Sequence, residues 1–324
     1  MVHNAIEAKG GMMFGRTLVI VNPAARSGKA AEVAAHAALV FDRIQKRQSQ
    51  PMRLTFRYTV GPKDATQIAQ HEGPYYDTVV ALGGDGLINE VANGLMSLPI
   101  NQRPTLALIP CGNGDDFART IGMSRKPNES LKQIESLALT PITIDVGRAN
   151  DIWFLETLSF GLDAAIALGT ADLRKKTKRT GTSLYLQCGI DQLVNHREIR
   201  QATLTLDDDK PQQLGFYLLA IQNGISYGGG FKICPKASLT DGFLDICFAT
   251  PTLSASEAIR LLLRAKNGNH TKHPNLTFSK ARRAHLTLPS EIPTQIDGEE
   301  FLSTEYDIAL HPKQLTILAP NCCK

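Results

Sequence analysis

Residues 77–90, with the sequence DTVVALGGDGLINE, contain the pattern that decides the fold. The apolar run at 78–82 predicts a buried strand, and the glycine-rich turn at 83–86 leads directly into a helix that begins near Leu87. Glycines allow backbone N–H groups to approach an anion closely, and a helix N-terminus adds partial positive charge. The turn therefore predicts a phosphate-binding loop. Its single carboxylate, Asp85, indicates either a magnesium ion beside the phosphate or a proton to be moved.

The same alternation of strand and helix patterns covers the N-terminal half of the chain. Strands are predicted at 17–21, 52–58, 78–82 and 105–109, and helices begin near Gly28, Lys63 and Leu87. This alternation predicts a parallel sheet with helices on both faces, in which ligands bind at the carboxyl ends of the strands. Three polar loops, at 22–29, 83–86 and 110–116, follow such strand ends. We therefore expect them to converge on one crevice.

After Asp145 the pattern changes to short strands separated by turn signals, including strands at 203–206 and 214–221. Helices are predicted at 163–176, 181–194 and 254–265. This half is therefore predicted to be mainly antiparallel β structure, a sandwich or a half-barrel, and we favour the antiparallel β-sandwich. A chain of 324 residues is long enough for two domains. We divide it into a flexible leader (1–15), an α/β domain (16–145) and a β-rich domain (146–324).

Composition excludes several classes of protein. The net charge of +4 is too small to indicate a nucleic-acid partner, but it is compatible with an anionic membrane surface or a polyphosphate ligand. No apolar run reaches the roughly 18 residues that a membrane-spanning helix needs. The six cysteines are scattered without a C-x-x-C pair, which predicts reduced thiols in a cytoplasmic protein. The sequence leaves the oligomeric state open, a homodimer included.

The first loop, residues 21–29 with the sequence VNPAARSGK, has two interpretations. It is not a Walker A motif, because no glycine lies five residues before Gly28 and Ala30 replaces the Ser or Thr that would bind magnesium. Arg26, Ser27 and Lys29 either contact phosphates or belong to an ordinary helix start with Ser27 as its cap.

The third loop, residues 112–119 with the sequence GNGDDFAR, places two carboxylates at a helix start. The helix dipole alone favours acidic residues there, so one of the two can be structural. Hard cations recruit carboxylates together with phosphate oxygens. We therefore expect Asp85 and Asp116, from separate loops, to form a magnesium site.

Taken together, these motifs resemble the catalytic domain of the diacylglycerol kinase family, which includes sphingosine and ceramide kinases and bacterial lipid kinases. The resemblance continues through the second half and extends over roughly residues 17–319; its motifs there are NGISYGGG at 223–230, CPKASLTDGFLD at 234–245 and QIDGE at 295–299. It implies that the α/β domain binds ATP, that the β-rich domain holds the acceptor, and that the active site lies in the cleft between them.

The resemblance also implies roles for individual residues. The implied nucleotide-binding set is Asn22, Pro23, Arg26, Ser27, Gly28, Lys29, Thr59, Gly83, Gly84, Asp85, Gly86, Leu87, Ile88, Asn89, Glu90, Gly112, Asn113 and Gly114. Asp297 and Glu299 would be catalytic carboxylates, either of which could accept the proton of the acceptor hydroxyl. Asp85 would share in catalysis by organising magnesium with Asp116 through water. Asp241, with the backbone carbonyls of Ser238 and Phe243, would bind a structural cation.

The sequence departs from the family pattern at the nucleotide. Leu87 stands where threonine is usual, and Asn113 and Asp115 replace threonine and asparagine. The leading prediction is an ATP- and magnesium-dependent lipid kinase acting on diacylglycerol or a related membrane lipid. Two alternatives remain open: a soluble-metabolite kinase similar to NAD kinases, and a catalytically weakened lipid-binding or regulatory protein.

The lipid-binding part of this prediction rests on two segments. An apolar slot for the lipid tail would be lined by residues 155–168 and 184–193, which would equally serve as ordinary core. The basic run at 173–179 either docks on anionic lipid or is a solvated helix end.

Overall fold

The computed structural model describes residues 14–47, 51–177, 182–195, 198–249 and 253–320. Its N-terminal half alternates strands and helices as predicted. The elements are β1 (Arg16–Val21), α1 (Ala30–Arg47), β2 (Arg53–Tyr58), α2 (Asp64–Glu72), β3 (Thr78–Gly83), α3 (Asp85–Met96), β4 (Thr105–Pro110), α4 (Asp116–Thr120), α5 (Pro127–Glu135) and β5 (Leu139–Ala149). The four predicted strands are confirmed to within about one residue at each end.

Four parallel strands form the centre of this half, in the order β2-β1-β3-β4. Val21 at the end of β1 pairs with Leu82 of β3, so the carboxyl ends of the two strands are level. All six residues of β3 are buried, as expected for a strand covered by helices on both faces. Helix α1 buries the stripe Ala30, Ala34, Ala37, Val40, Phe41 and Ile44, whose spacing of three and four residues is that of one helix face.

The C-terminal half is mainly antiparallel β structure. Its elements are β6 (Ile152–Phe154), β7 (Thr157–Gly161), α6 (Leu162–Thr177), α7 (Thr182–Asn195), β8 (Arg200–Leu206), β9 (Gln212–Phe216), β10 (Leu218–Gln222), β11 (Leu244–Ala249), α8 (Ala255–Ala265), β12 (Leu276–Ala281), β13 (Arg283–Thr287), β14 (Thr294–Ile296), β15 (Glu299–Glu300) and β16 (Glu305–Pro320). The three predicted helices correspond to α6, α7 and α8.

Two sheets enclose the core of this half. One is antiparallel throughout, with the order β12-β11-β10-β7-β14-β15, and the other continues the N-terminal sheet through β16, β13, β8 and β9. Side chains from both sheets, among them Phe160, Phe216 and Tyr306, form one buried cluster. The structure thus confirms the predicted fold class, an α/β half followed by an antiparallel sandwich.

Strand β16 connects the two halves. Its Ile317 pairs in parallel with Leu106 of β4, whereas its N-terminal part pairs with β13 in the sandwich. The first sheet therefore runs without a break from one half to the other, and the domain boundary at residue 145 stays a prediction. Within the described residues, no helix is long and apolar enough to cross a membrane.

Two expectations need correction. The strand predicted at 214–221 is two strands, because β9 pairs with β8 in one sheet while β10 pairs with β7 and β11 in the other. Phe14 and Gly15, assigned to the flexible leader, belong to the folded part. The ring of Phe14 is buried 5.3 Å from that of Phe41, and the Gly15 carbonyl accepts a hydrogen bond from the Arg53 N–H. Residues 1–13 of the leader lie outside the described part of the chain.

Candidate active site

A cleft of about 460 Å³ opens at the carboxyl ends of β1, β3 and β4. The three loops that follow these strands line it together, as the sequence predicts, and segments 155–157, 227–229 and 295–299 of the sandwich line its opposite side. The three strand-end loops and the Asp-Gly-Glu turn at 297–299 therefore line the same site, although they are about 200 residues apart in sequence.

The first loop is held in an unusual backbone conformation. Asn22 Oδ1 accepts a hydrogen bond from the Ala24 N–H at 3.0 Å, and Arg26, Ser27 and Gly28 all have positive φ, at 51°, 59° and 88°. Only Gly28 adopts this region without steric cost, and strain of this kind is typical of ligand-binding loops. Arg26 and Ser27 line the cleft.

The second and third loops touch backbone to backbone. A Cβ atom on Gly112 would lie 2.6 Å from the Gly84 Cα, and the Cys111 N–H donates to the Gly83 carbonyl at 2.7 Å. The Leu87 side chain folds back over Gly83, and a Cβ atom on Gly83 would lie only 2.5 Å from Leu87 Cδ2. The leucine is thus buried against its own loop, and no hydroxyl is available at this position.

Asp85 and Asp116 approach each other over Gly114. A Cβ atom on Gly114 would lie 3.0 Å from Asp85 Oδ2 and 3.2 Å from Asp116 Oδ2. Asp85 Oδ1 accepts a hydrogen bond from the Phe117 N–H at 3.3 Å, and Asp116 Oδ2 accepts one from the Gly229 N–H at 2.7 Å. The Arg119 Nε lies 3.5 Å from Asp116 Oδ1.

The electrostatics of this pair favour a bound cation. Burial, followed by the charges of Asp116 and Asp115, raises the pKa of Asp85 to about 8. Burial also raises the pKa of Asp116, whereas the hydrogen bond from the Gly229 N–H and the positive charge of Arg119 lower it. Two enclosed carboxylates raise each other's pKa, and a divalent cation between them would relieve the repulsion. The oxygen donors at this position fit magnesium.

Asp115 is the structural member of the adjacent pair. Its Oδ1 accepts a hydrogen bond from the Gly112 N–H at 2.8 Å, which closes the third loop. The residue is 3% exposed and has a φ of 49°. Burial raises its pKa to about 6.

Asp297 is saturated with hydrogen bonds. Its Oδ1 accepts from the N–H groups of Glu156 and Thr157 at 3.0 and 2.8 Å. Its Oδ2 accepts from the Leu155 N–H at 2.7 Å and from Asn89 Nδ2 at 2.8 Å. Burial raises the pKa of Asp297, and these four donors act in the opposite direction. The carboxylate therefore holds segment 155–157 and the turn at 297–299 in position.

Glu299 lies at the other end of this turn and is exposed. Its Oε1 is 3.5 Å from the position that a Cβ atom on Gly86 would occupy, so it faces the second loop across the cleft. Of the two carboxylates in the Asp-Gly-Glu motif, Glu299 is the one directed towards the glycine-rich second loop at 83–86.

Several residues of the implied nucleotide-binding set lie off the cleft. The residues that do not line it are Pro23, Gly28, Lys29, Thr59, Gly83 and Glu90. Glu90 has a structural role, because its carboxylate accepts hydrogen bonds from the Lys63 and Ala65 N–H groups at the start of α2. Lys29 is exposed and borders a separate depression with Glu32 and His36.

The second implied cation site lies next to a lysine side chain. Asp241 Oδ2 lies 2.6 Å from Lys280 Nζ, and its Oδ1 accepts a hydrogen bond from the Phe243 N–H at 3.1 Å. Lys280 also lies 3.2 Å from Asp245 Oδ2. Across the described ranges, no group of three or more metal-ligating side chains occurs. An ammonium group therefore lies beside Asp241 in this arrangement, and the assignment of Ser238, Asp241 and Phe243 to a structural cation stays a prediction.

Sequence reasoning missed Glu156, which lies in the cleft beside Asp297. Its side chain is 5% exposed, and burial raises its pKa well above the usual range, with contributions from Asp297, Asp116 and Asp85. The available signal was its position: it is the only charged residue in the apolar segment 152–162.

Models of known protein families match both halves of the chain. The model of the diacylglycerol kinase catalytic domain matches residues 16–149, and that of the YegS C-terminal NAD kinase beta sandwich-like domain matches residues 156–319. The two models together span the α/β half and the β-sandwich half, and the class they define is that of two-part kinases of the diacylglycerol kinase type. The chain belongs to the diacylglycerol kinase family.

Named relatives span most of the chain. It is 30% identical to a probable lipid kinase YegS-like of Chromohalobacter salexigens, over 75% of this chain and 76% of that protein. It is 29% identical to the diacylglycerol kinase of Bacillus subtilis, over 79% and 82%. A putative diacylglycerol kinase from Bacillus anthracis str. Sterne has a similar crystal structure, with 26% identity, a TM-score of 0.80, and coverage of 97% of this chain and 98% of that one.

Proposed function

We propose that this protein is an ATP- and magnesium-dependent kinase that transfers the γ-phosphoryl group to the free hydroxyl of diacylglycerol or a related membrane lipid. The observation that carries the proposal is the placement of Glu299 across the cleft from the loop that bears Asp85, with Asp116 beside it. Membership of the diacylglycerol kinase family supports it. The cytoplasmic face of a membrane is the location that such a lipid acceptor implies.

Nucleotide binding would use the three strand-end loops. Phosphoryl transfer depends mainly on positioning and on neutralising charge, which backbone N–H groups and basic side chains supply. Arg26 and Ser27 line the cleft at the first loop, and Gly84, Gly86 and Gly112 leave the backbone of the other two loops accessible. Magnesium, held by Asp85 and Asp116, would neutralise the phosphate charge when bound.

Acceptor activation would use Glu299. The acceptor oxygen attacks the γ-phosphorus, its proton passes to the Glu299 carboxylate, and the bond to the leaving ADP oxygen breaks. A positioned base of this kind contributes roughly 10²- to 10⁴-fold to the rate. Asp297 would act as a positioning residue, because all four of its hydrogen bonds are already made within the protein.

The lipid tail would enter an apolar cavity beneath α7 and α8. This cavity, of about 80 Å³, is lined by Leu162, Ile166, Leu193, Leu261 and Leu262 among others, and so includes members of both segments expected to form the slot. Asp163 lies at its wall and accepts a hydrogen bond from Tyr185, which also lines the active-site cleft. The volume admits only part of an acyl chain in this conformation.

Membrane contact through the basic run at 173–179 stays a prediction. Residues 178 and 179, and the side chains of Arg174 and Lys175, lie outside the described part of the chain.

One assay separates the three candidate functions. The protein is incubated with labelled ATP, magnesium and either diacylglycerol-containing vesicles or NAD. Label in the lipid is expected, and label appearing only in NADP would refute the lipid kinase. Because Leu87 removes a hydroxyl from the second loop, Leu87→Thr combined with Asn113→Thr tests the weakened alternative: activity present only in the double variant would favour it.

A further inference from the structure

The catalytic cleft and the apolar cavity follow each other along helix α6. Asp163 and Ile166 of this helix line the cavity, whereas Ala167 and Thr170, towards its C-terminus, line the cleft. These four positions are spaced by three and four residues, so they lie on one face of the helix. The two spaces are therefore neighbours on the same face of α6, and the boundary between them falls at Ile166 and Ala167.

Tyr185 of helix α7 lies at this boundary. It lines the cleft, and its hydroxyl donates a hydrogen bond of 3.2 Å to Oδ1 of Asp163, which lines the cavity. Only 4% of Tyr185 and 2% of Asp163 are exposed. One member of this hydrogen-bonded pair thus borders each space, so the pair forms part of the wall between the cleft and the cavity.

The ring of Tyr185 is held by its neighbours rather than by a covalent constraint. A Cβ atom on Gly228 would lie 2.5 Å from Tyr185 Cε2, so glycine at this position leaves the space that the ring occupies. The ring centroid lies 4.8 Å from that of Phe231. A side chain can move between rotamers, whereas the helix backbone at Ile166 and Ala167 is fixed by its own hydrogen bonds. Tyr185 is therefore the part of the wall that can open.

We propose that Tyr185 is a specificity-determining residue, which sets how far the tail of the acceptor lipid reaches by separating the cleft from the apolar cavity. This inference rests on the proposed function and deepens it. A tail that ends in the cleft leaves the ring in place, whereas a longer tail enters the cavity only by displacing it. Each methylene group buried there raises the affinity roughly fourfold, but the lost hydrogen bond and ring contact offset this gain. The wild-type protein therefore discriminates only weakly between short and long tails.

The test compares dihexanoylglycerol with dipalmitoylglycerol at equal mole fraction in the same mixed micelles. The measured quantity is the ratio of kcat/KM for the long lipid to kcat/KM for the short one. In Tyr185→Leu the smaller side chain opens the wall, so this ratio should rise at least about tenfold over the wild-type ratio, through a lower KM for the long lipid. Tyr185→Phe keeps the ring and removes only the hydrogen bond, so its ratio should lie between the two. Tyr75→Leu, at an exposed tyrosine outside the cleft, is the matched control and should leave the ratio unchanged.

A cavity-filling substitution separates a new route for the tail from a loosened fold. Ala258 of α8 lines the cavity and not the cleft, and the extra carbon atoms of leucine at this position would fill much of a space of about 80 Å³. Ala258→Leu combined with Tyr185→Leu should therefore return the ratio to the wild-type value. The same cancellation is expected with Tyr185→Phe, which retains the packing of the ring. A merely structural role of Tyr185 would instead lower both activities together with the unfolding temperature, and Ala258→Leu would not change the ratio.

Binding is measured in parallel by isothermal titration calorimetry with the deoxy analogues of the two lipids, which lack the reacting hydroxyl. A ratio that is unchanged in both Tyr185 variants, or a rise that Ala258→Leu does not reverse, would overturn the inference and leave the proposed kinase activity standing. Binding that depends on tail length and follows these variants, without phosphorylation of either acceptor, would support the inference and count against the kinase activity alone.

Discussion

Replacing Asp297 by asparagine should destabilise the protein, because the carboxylate is a structural acceptor. Its two oxygens accept four hydrogen bonds, at 2.7–3.0 Å. An asparagine side chain has one acceptor oxygen, so its amide group would face two N–H donors in either orientation. An unsatisfied buried donor costs about 1–3 kcal/mol, which gives about 2–6 kcal/mol for two. Because Asp297 is half-buried and water can reach part of the site, we expect a loss near the lower end of this range.

The assay is thermal unfolding followed by circular dichroism, with kinase activity measured on the same preparations. Asp297→Asn should unfold several degrees below the wild-type protein. The matched variant Glu299→Gln changes an exposed side chain, so its unfolding temperature should be unchanged while its kcat falls roughly 10²- to 10⁴-fold. If Asp297→Asn kept wild-type stability and lost activity, and Glu299→Gln remained active, the assignment of the two carboxylates would be reversed.

Three further perturbations test the geometry of the cleft and the sandwich. Asp85→Asn should raise the unfolding temperature of the metal-free protein at pH 8, and the gain should be smaller at pH 5. The reason is that the pKa of Asp85 is raised in the folded protein, so ionising this carboxyl lowers stability as the pH rises above the pKa of about 4 that it has in the unfolded chain. Equal gains at both pH values would contradict this. Gly112→Ala places a methyl group 2.6 Å from the Gly84 Cα, so KM for ATP should rise at least about tenfold in steady-state kinetics, and an unchanged KM would show that the loops separate freely. Lys280→Met leaves Asp241 without its cation and should lower the unfolding temperature in calorimetry; if magnesium restored it, Asp241 would be a cation site after all.

The fold could be read from the sequence because its determinants are local. The apolar run before Gly83, the glycine turn and the helix behind it are contiguous, and the strand-end loops converge as a consequence of parallel topology. The break between β9 and β10 could not be read in the same way. Residues 214–221 form one continuous strand pattern, and the change of sheet at Tyr217 depends on which distant strands are available for pairing.

The roles of the carboxylates were predictable only in part. Asp85 and Asp116 could be paired because each lies in a strand-end loop. The division between Asp297 and Glu299 depends on N–H groups at 155–157 and on Asn89, which no local pattern connects to residue 297. Glu90 shows the converse case: the family resemblance implied nucleotide contact, whereas its carboxylate is used at the start of α2.

The contacts of α3 explain how the two halves of the site keep their spacing. The helix begins at Asp85, and its Asn89 and Asn93 side chains both donate to the Trp153 carbonyl, two residues before the segment 155–157 that Asp297 binds. The Trp153 N–H donates back to Asn93 Oδ1 at 3.0 Å. The helix that begins at Asp85 is therefore joined directly to the backbone that leads into the segment held by Asp297. Asp297 accepts hydrogen bonds both from Asn89 of this helix and from the backbone at 155–157. Its loss should therefore make the distance between the Asp85–Asp116 pair and Glu299 more variable, in addition to destabilising the fold. Stability and activity must for this reason be measured together.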